Sequence, residues 1–267
     1  MQDSGIMSKK ESTLLFLHGW VTDKWVWINQ VNEFKDVYKC HNMNLPGHGG
    51  NEKWDEPTLV PPVQEVLAHL SSSKSDDSSH GKVTGIGWSL GAQVLLTAAI
   101  ENQLKFNALI LIGASPCFVE KVDFPWAQPM PVVRKMIKDM KKKPHETIKR
   151  FYQLNFTKEE LETENAKSFI RKYTLNETKF RYDEIITSLV ALSKVDLREQ
   201  LSLLDIPVLI IHGRMDQICP VGAAHYLANK IKKTELKIFE KAGHAPFLTE
   251  TAEFNKLLLN FIDNLNF

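Results

Sequence analysis

A serine set between glycines, Gly87-Trp88-Ser89-Leu90-Gly91, stands where a mostly apolar run (Lys82–Gly87, KVTGIG) gives way to a helical pattern (Leu90–Glu101). A sharp turn at such a junction forces strained backbone angles on the serine and lifts its hydroxyl clear of a sheet, while the flanking glycines let strand and helix approach. Ordinary glycine-flanked turns produce the same five residues, so the weight of the pattern comes from the strand before it and the helix after it. A serine hydroxyl is a poor nucleophile at neutral pH. It needs a histidine to take its proton and an acid to fix that histidine's tautomer. Ser89 is the expected nucleophile of an acyl-transfer site.

The chain has nine histidines. Behind a nucleophile turn of this kind the partners follow in the order acid, then histidine, which leaves His212, His225 and His244. His212 closes an apolar run and is followed at once by Gly213, whereas His225 falls in a helical pattern where surface or packed histidines are common. His244 lies in Ala242-Gly243-His244-Ala245-Pro246-Phe247, a loop after the last strand-like run, and is the expected base. The acid belongs at the carboxyl end of Pro207–His212, because ligand-facing residues collect at that edge of a parallel sheet. Asp216, in HGRMDQICP, satisfies this, while Asp205 precedes the run and Asp196 reads as a surface or helix-capping residue. Two N–H donors must await the oxyanion: Leu90, directly after the nucleophile, and Trp20 in the loop His18-Gly19-Trp20. For the His18 side chain the expectation is a structural hydrogen bond that shapes this loop.

The elements that must position these residues follow an alternating grammar. Short apolar runs at Thr13–His18, Lys82–Gly87, Ala108–Ile112, Pro207–His212 and Glu235–Phe239 read as strands buried in a mostly parallel sheet, with helices between them. Helices are also expected near Gly222–Lys232 and from about Ala252. The stretch from about Pro116 to Leu192 lacks strand-like runs and carries amphipathic patterns at Val132–Met140, Thr147–Leu154, Ala166–Tyr173 and Phe180–Leu192. It is expected to be a helical lid, residues 116–192, inserted into a core made of residues 1–115 and 193–267. The polar, serine-rich Ser71–His80 reads as an exposed loop.

Composition narrows the function classes. The chain has 267 residues, 43% hydrophobic and 24% charged, which suits one globular core with an insertion. A formal net charge of +1 gives no global reason to expect nucleic acid. No apolar run approaches the ~18 residues of a membrane span, and the N-terminus has no apolar core of a secretory signal, so a cytoplasmic protein without membrane contact is expected. A monomer is the expected state, though no residue pattern sets it. Three cysteines, with no CxxC pair, argue against a disulfide framework or a zinc site and are expected to be buried or half-buried thiols. Phosphate-cradling glycine loops and metal-ligand spacings are missing as well, so no cofactor and no metal are expected.

HGW (His18–Trp20), LPGHG (Leu45–Gly49), GWSLG (Gly87–Gly91), ASPCF (Ala114–Phe118), VDLR (Val195–Arg198) and AGHAPF (Ala242–Phe247) occur in that order. Together they resemble the pimeloyl-acyl-carrier-protein methyl ester esterase family of the α/β-hydrolase superfamily. The resemblance implies the α/β-hydrolase fold and hydrolysis of a methyl ester on a pimeloyl chain carried by acyl carrier protein, a step of biotin synthesis. It further implies a substrate site lined by Trp20, Ser89, Leu90, His244 and the segment Phe151, Tyr152, Gln153, Leu154 and Asn155. Phe151, Tyr152 and Leu154 are also what an amphipathic helix would bury anyway. Acyl carrier proteins are acidic, and between Pro131 and Leu154 eight Lys or Arg stand against two acids. Lys142, Lys143, Lys149 and Arg150 are the expected docking residues. A solvated lysine-rich face is the plainer reading of that run. Rival functions are a short-chain carboxylesterase or thioesterase using the same residues without the carrier, and a hydrolase-fold binding protein.

Overall fold

The computed structural model describes residues 12–50, 53–72, 82–101, 105–175 and 180–265. Six parallel strands form one sheet: β1 (Thr13–Leu17), β2 (Lys39–Met43), β3 (Val83–Trp88), β4 (Ala108–Ile112), β5 (Val208–Gly213) and β6 (Thr234–Phe239), ordered β2-β1-β3-β4-β5-β6. The order reverses beside β1, and in open α/β sheets such a reversal opens a crevice at the strands' carboxyl ends. β4 (ALILI) and β5 (VLIIHG) are buried at every position, as expected of central strands covered on both faces.

Helices α1 (Ile28–Phe34), α2 (Val60–Ser72), α3 (Leu90–Glu101), α8 (Gly222–Lys230) and α10 (Thr251–Asn264) alternate with these strands, and a short turn of helix, α9 (Pro246–Thr249), follows β6. Four more, α4 (Met130–Lys142), α5 (Pro144–Leu154), α6 (Glu164–Leu175) and α7 (Tyr182–Lys194), lie between β4 and β5. Their inner residues, among them Phe151, Tyr152, Phe169, Tyr173 and Ile185, belong to the same buried cluster as the sheet. Among the described residues no helix is long and apolar enough to cross a membrane.

Five strands match the sequence expectation to within a residue or so. The sixth, β2, has no apolar run: KCHNM is an edge strand, exposed or half-buried along its length, and its pairing with β1 rather than its composition makes it a strand. Helix α2 begins Val60-Pro61-Pro62, a start that a helix tolerates because first-turn N–H groups have no intrahelical partner. It extends through Ser71 and Ser72, so the expected serine-rich loop cannot begin there; the rest of that loop, and the N-terminal segment, lie outside the described residues.

Close approach between α3 and β1 depends on Gly91. A Cβ there would lie 2.5 Å from the Leu17 carbonyl oxygen and 2.6 Å from that of His18, backbone atoms that cannot rotate aside. Gly91→Ala should lower unfolding free energy by about 1–3 kcal/mol, the usual cost of overpacking. The check is a lower urea midpoint at unchanged m-value.

Candidate active site

Ser89 sits at the corner between β3 and α3 with φ at +54°, a left-handed conformation costly for a residue with a side chain. Its N–H donates to Ile112 O at 2.8 Å, so strand pairing with β4 continues into the turn, and its carbonyl accepts the Gln93 N–H at 3.1 Å as α3 begins. A Cβ on Gly87 would come within 2.7 Å of the Ala92 backbone. The two glycines around Ser89 are thus required by contact. Ser89 itself is 9% exposed.

Asp216 lies in the turn after β5, and His244 in the loop after β6. His244 Nδ1 is 2.6 Å from Asp216 Oδ2, with both side chains fully buried. Asp216 Oδ1 accepts the N–H groups of Ile218 and Cys219 at 2.8 and 2.9 Å. Burial by itself would raise the Asp216 pKa. The adjacent His244 and His212 rings, with the hydrogen bond from His244 Nδ1, outweigh it and hold the carboxyl well below the ordinary range. With the carboxylate accepting from Nδ1–H, the other ring nitrogen carries a lone pair, as a proton acceptor must. That atom, His244 Nε2, is buried and has no hydrogen-bond partner among the described residues.

Backbone contacts hold the imidazole in place. Trp88 Nε1 donates to His244 O at 2.9 Å, and His244 N donates to Asn155 O at 2.8 Å. Gly113, at φ +54°, leaves space that a Cβ would take from the ring, 2.8 Å from His244 Cε1 and Nδ1. Phe247 wedges between Trp27 and Trp88 at ring distances of 4.4 and 5.1 Å, fixing the descending side of the loop.

The loop after β1 is shaped as expected. Leu45 N donates to His18 Nε2 at 2.9 Å, which leaves Nδ1–H to donate to Gly19 O at 2.8 Å. Burial lowers the His18 pKa to about 4, so it is neutral at pH 7. Trp20 is buried against the inserted helices. Its indole donates to Ile185 O and Ser188 Oγ, each at 3.1 Å, and meets Phe151 edge-on at 4.8 Å. Leu90 is fully buried at the start of α3.

On α5 the structure divides the expected segment. Phe151 and Tyr152 are buried, and the Tyr152 hydroxyl donates to Val21 O at 2.6 Å. Asn155 is buried and faces the His244 loop through its carbonyl. Leu154, expected to be buried, is 42% exposed, and Gln153 is exposed too. The inward stripe of α5 runs Ile148, Phe151, Tyr152 and Asn155, spacings of three, four and seven, and positions 153 and 154 fall outside it. Lys142, Lys143, Lys149 and Arg150 are all exposed. Lys143 pairs with Glu146 at 3.3 Å, while Arg150 at 3.1 Å and Lys135 at 2.5 Å share Asp139. Lys142 and Lys149 make no ion pair among the described residues. Cys117 and Cys219 are buried and Cys40 is half-buried, all as free thiols.

Sequence reasoning missed His212 as a partner of the acid. Its Nε2 donates to Cys219 O at 2.6 Å and lies 3.2 Å from Asp216 Oδ2, so it steadies the turn that carries Asp216. Glu160 was missed as well, although Thr157-x-x-Glu160 is a legible capping-box pattern.

A serine at a strained strand–helix corner, with a buried acid–histidine pair on the loops after β5 and β6, defines the class. The chain belongs to the α/β-hydrolase family: the model for the alpha/beta hydrolase fold matches residues 12–251. Within that family it is a serine carboxylesterase. It is 30% identical over 90% of its length to a pimeloyl-[acyl-carrier protein] methyl ester esterase of Nitrosomonas europaea, 92% of which is covered. A protein of the same name from Wigglesworthia glossinidia brevipalpis is 30% identical over 98% of this chain and 97% of its own. Among solved structures, an esterase from Exiguobacterium antarcticum superposes with a TM-score of 0.86 at 24% identity, covering 95% of this chain and 92% of that one, a likeness of fold.

The depressed Asp216 pKa has a defined effect on stability. Its contribution is complete above the unfolded value of about 4 and is lost as pH falls through and below that range. The urea midpoint of the wild type should therefore drop on acidification below about pH 4. Asp216→Asn, which has no carboxyl at that position, should lose this part of the slope.

Proposed function

We propose that this carboxylesterase hydrolyses the methyl ester of a pimeloyl chain borne by acyl carrier protein, in biotin synthesis, with Ser89 as nucleophile, His244 as base and Asp216 as orienting acid. The observation that carries the reading is the 2.6 Å Asp216–His244 pair, which leaves an imidazole nitrogen without a partner among the described residues, in a chain similar along nearly its whole length to esterases of that name.

In this mechanism His244 Nε2 takes the Ser89 proton as Oγ attacks the ester carbonyl. The N–H groups of Leu90 and Trp20 stabilise the oxyanion, and Asp216 stabilises the imidazolium without itself taking a proton. Collapse of the tetrahedral species expels methanol, which receives the proton from His244. Water, deprotonated by the same nitrogen, then attacks the acyl-enzyme and releases the carboxylate. Residues 116–192 act as a lid over this site. Trp20 and Phe151, in edge contact, support an apolar wall for the acyl chain, and Tyr152 sets the position of that wall through Val21.

Carrier docking is assigned to the outer face of α4 and α5. Both acids of that stretch, Asp139 and Glu146, are already paired, so Lys142 and Lys149 present uncompensated charge, with Lys143 and Arg150 beside them. Such a face steers an acidic partner and loses its pull as salt screens it.

A fluorophosphonate should label the wild type, and neither Ser89→Ala nor His244→Ala. An unlabelled wild type would favour a binding protein. Asp216→Asn should lower kcat by about 10³–10⁴-fold, through loss of the correct tautomer.

Rates on methyl pimeloyl-carrier protein should fall as salt is raised from about 20 to 300 mM, while those on p-nitrophenyl butyrate hold steady. The double variant Lys142→Glu, Lys149→Glu should raise KM for the carrier substrate about tenfold and leave the small ester unaffected. Equal behaviour of the two substrates would favour a short-chain esterase.

A further inference from the structure

Glu160 forms a capping box with Thr157. Thr157 Oγ1 accepts the Glu160 N–H at 3.1 Å, and Glu160 Oε2 accepts the Thr157 N–H at 2.8 Å. Capping that turn uses only part of the carboxylate, and the remainder reaches across the chain. Oε2 also accepts the Gly243 N–H at 2.9 Å, and Oε1 accepts the Thr249 hydroxyl at 2.6 Å. The residue is 7% exposed, so these bonds face little competition from water.

The two distant donors bracket His244, one directly before it and one five residues after. Packing there is tight: a Cβ on Gly243 would lie 2.6 Å from Asn155 O and 3.0 Å from Glu160 Oε2. Asn155 O accepts the His244 N–H itself. The segment 155–160, which follows α5, thus grips the rising and falling limbs of the loop whose one chemistry-bearing side chain is His244.

We propose that Glu160 is a positioning residue for acyl transfer: its carboxylate, delivered from the inserted segment, sets where the histidine loop stands relative to Asp216 and Ser89. This rests on the reading of His244 as base. Glu160 touches no reacting atom and acts entirely through Gly243 and Thr249. A charge is not required for the role. A glutamine can accept both N–H groups with its one oxygen and donate its amide to Thr249 Oγ1, whereas alanine abandons all of these contacts.

The test compares Glu160→Ala, Glu160→Gln, Thr249→Val and Thr157→Ala on p-nitrophenyl butyrate, with rates expressed per fluorophosphonate-reactive site and Tm measured in parallel. Displacing a reacting group by about 1 Å can cost around 100-fold, so Glu160→Ala should lose about 10–100-fold in kcat with KM within about threefold. Its acid limb of kcat/KM should move to lower pH, because a displaced imidazolium loses Asp216. Glu160→Gln should restore kcat to within about threefold of wild type, and Thr249→Val, which cuts only the histidine-loop side, should lower kcat in the same direction as alanine. Thr157→Ala, which cuts only the capping side, should lower Tm and spare kcat. Wild-type kcat per site in Glu160→Ala would overturn the proposal. Should that variant not fold, wild-type kcat in Thr249→Val would do so. A wild type that fails to label, or a His244→Ala that still labels, would instead remove the underlying assignment of the base.

Discussion

A carboxylate with no exposed side-chain surface stays ionised only where donors around it replace the water it has lost, and Asp216 has three. Two are N–H groups of its own turn, at Ile218 and Cys219, and the third is the His244 imidazole, while His212 Nε2 lies 3.2 Å away. Removing one partner of such a buried pair typically costs about 3–5 kcal/mol, a large share of the roughly 5–15 kcal/mol that keeps a domain folded. The turn after β5 and the loop after β6 are therefore bound together by the same interaction that fixes the histidine tautomer. Fold stability and the orientation of this imidazole are not separable at this point of the molecule.

A second cost is borne at Ser89. Left-handed backbone at a residue with a side chain costs of order 1–3 kcal/mol. Against it stand β3, β4 and the inner face of α3, where Ile86, Leu109, Ile110, Leu111, Val94 and Leu95 are each essentially without exposed surface. Each such side chain contributes about 1.5–3 kcal/mol on burial, so the corner is held by the layers on either side of it. The hydrogen bond from Ser89 N to Ile112 O ties the corner to β4, and that from Gln93 Nε2 to Ser115 O ties the start of α3 to the turn after β4.

These two constraints explain what could be read from the sequence. Strands buried on both faces announce themselves as apolar runs, so β4 and β5 were legible almost to the residue. So was the pentapeptide around Ser89, because close contact with backbone leaves no alternative to glycine at 87 and 91. The edge strand β2 was not legible, since half-exposed KCHNM obeys pairing with β1 and no burial rule of its own. The expected burial of Leu154 went wrong for a related reason. An apolar residue at a helix end need not lie on the stripe, and the phase of α5 is set by Ile148, Phe151 and Tyr152. His212 and Glu160 escaped because a histidine closing a strand and a glutamate in a capping box each have an ordinary local use, and only the fold shows what else they touch.

The inserted helices meet the histidine loop in two chemically different ways. Asn155 offers its backbone carbonyl to His244 N, a contact that any side chain at position 155 could preserve provided the chain end of α5 stays where it is. Glu160 offers a side chain, whose two oxygens reach Gly243 and Thr249. The outer face of α4 and α5 carries none of these contacts: Lys142, Lys149, Gln153 and Leu154 point to solvent. The contacts with the imidazole loop come from the inner edge of the segment and not from that face. The segment between β4 and β5 thus has one side open to solvent and another hydrogen-bonded to the loop that carries His244.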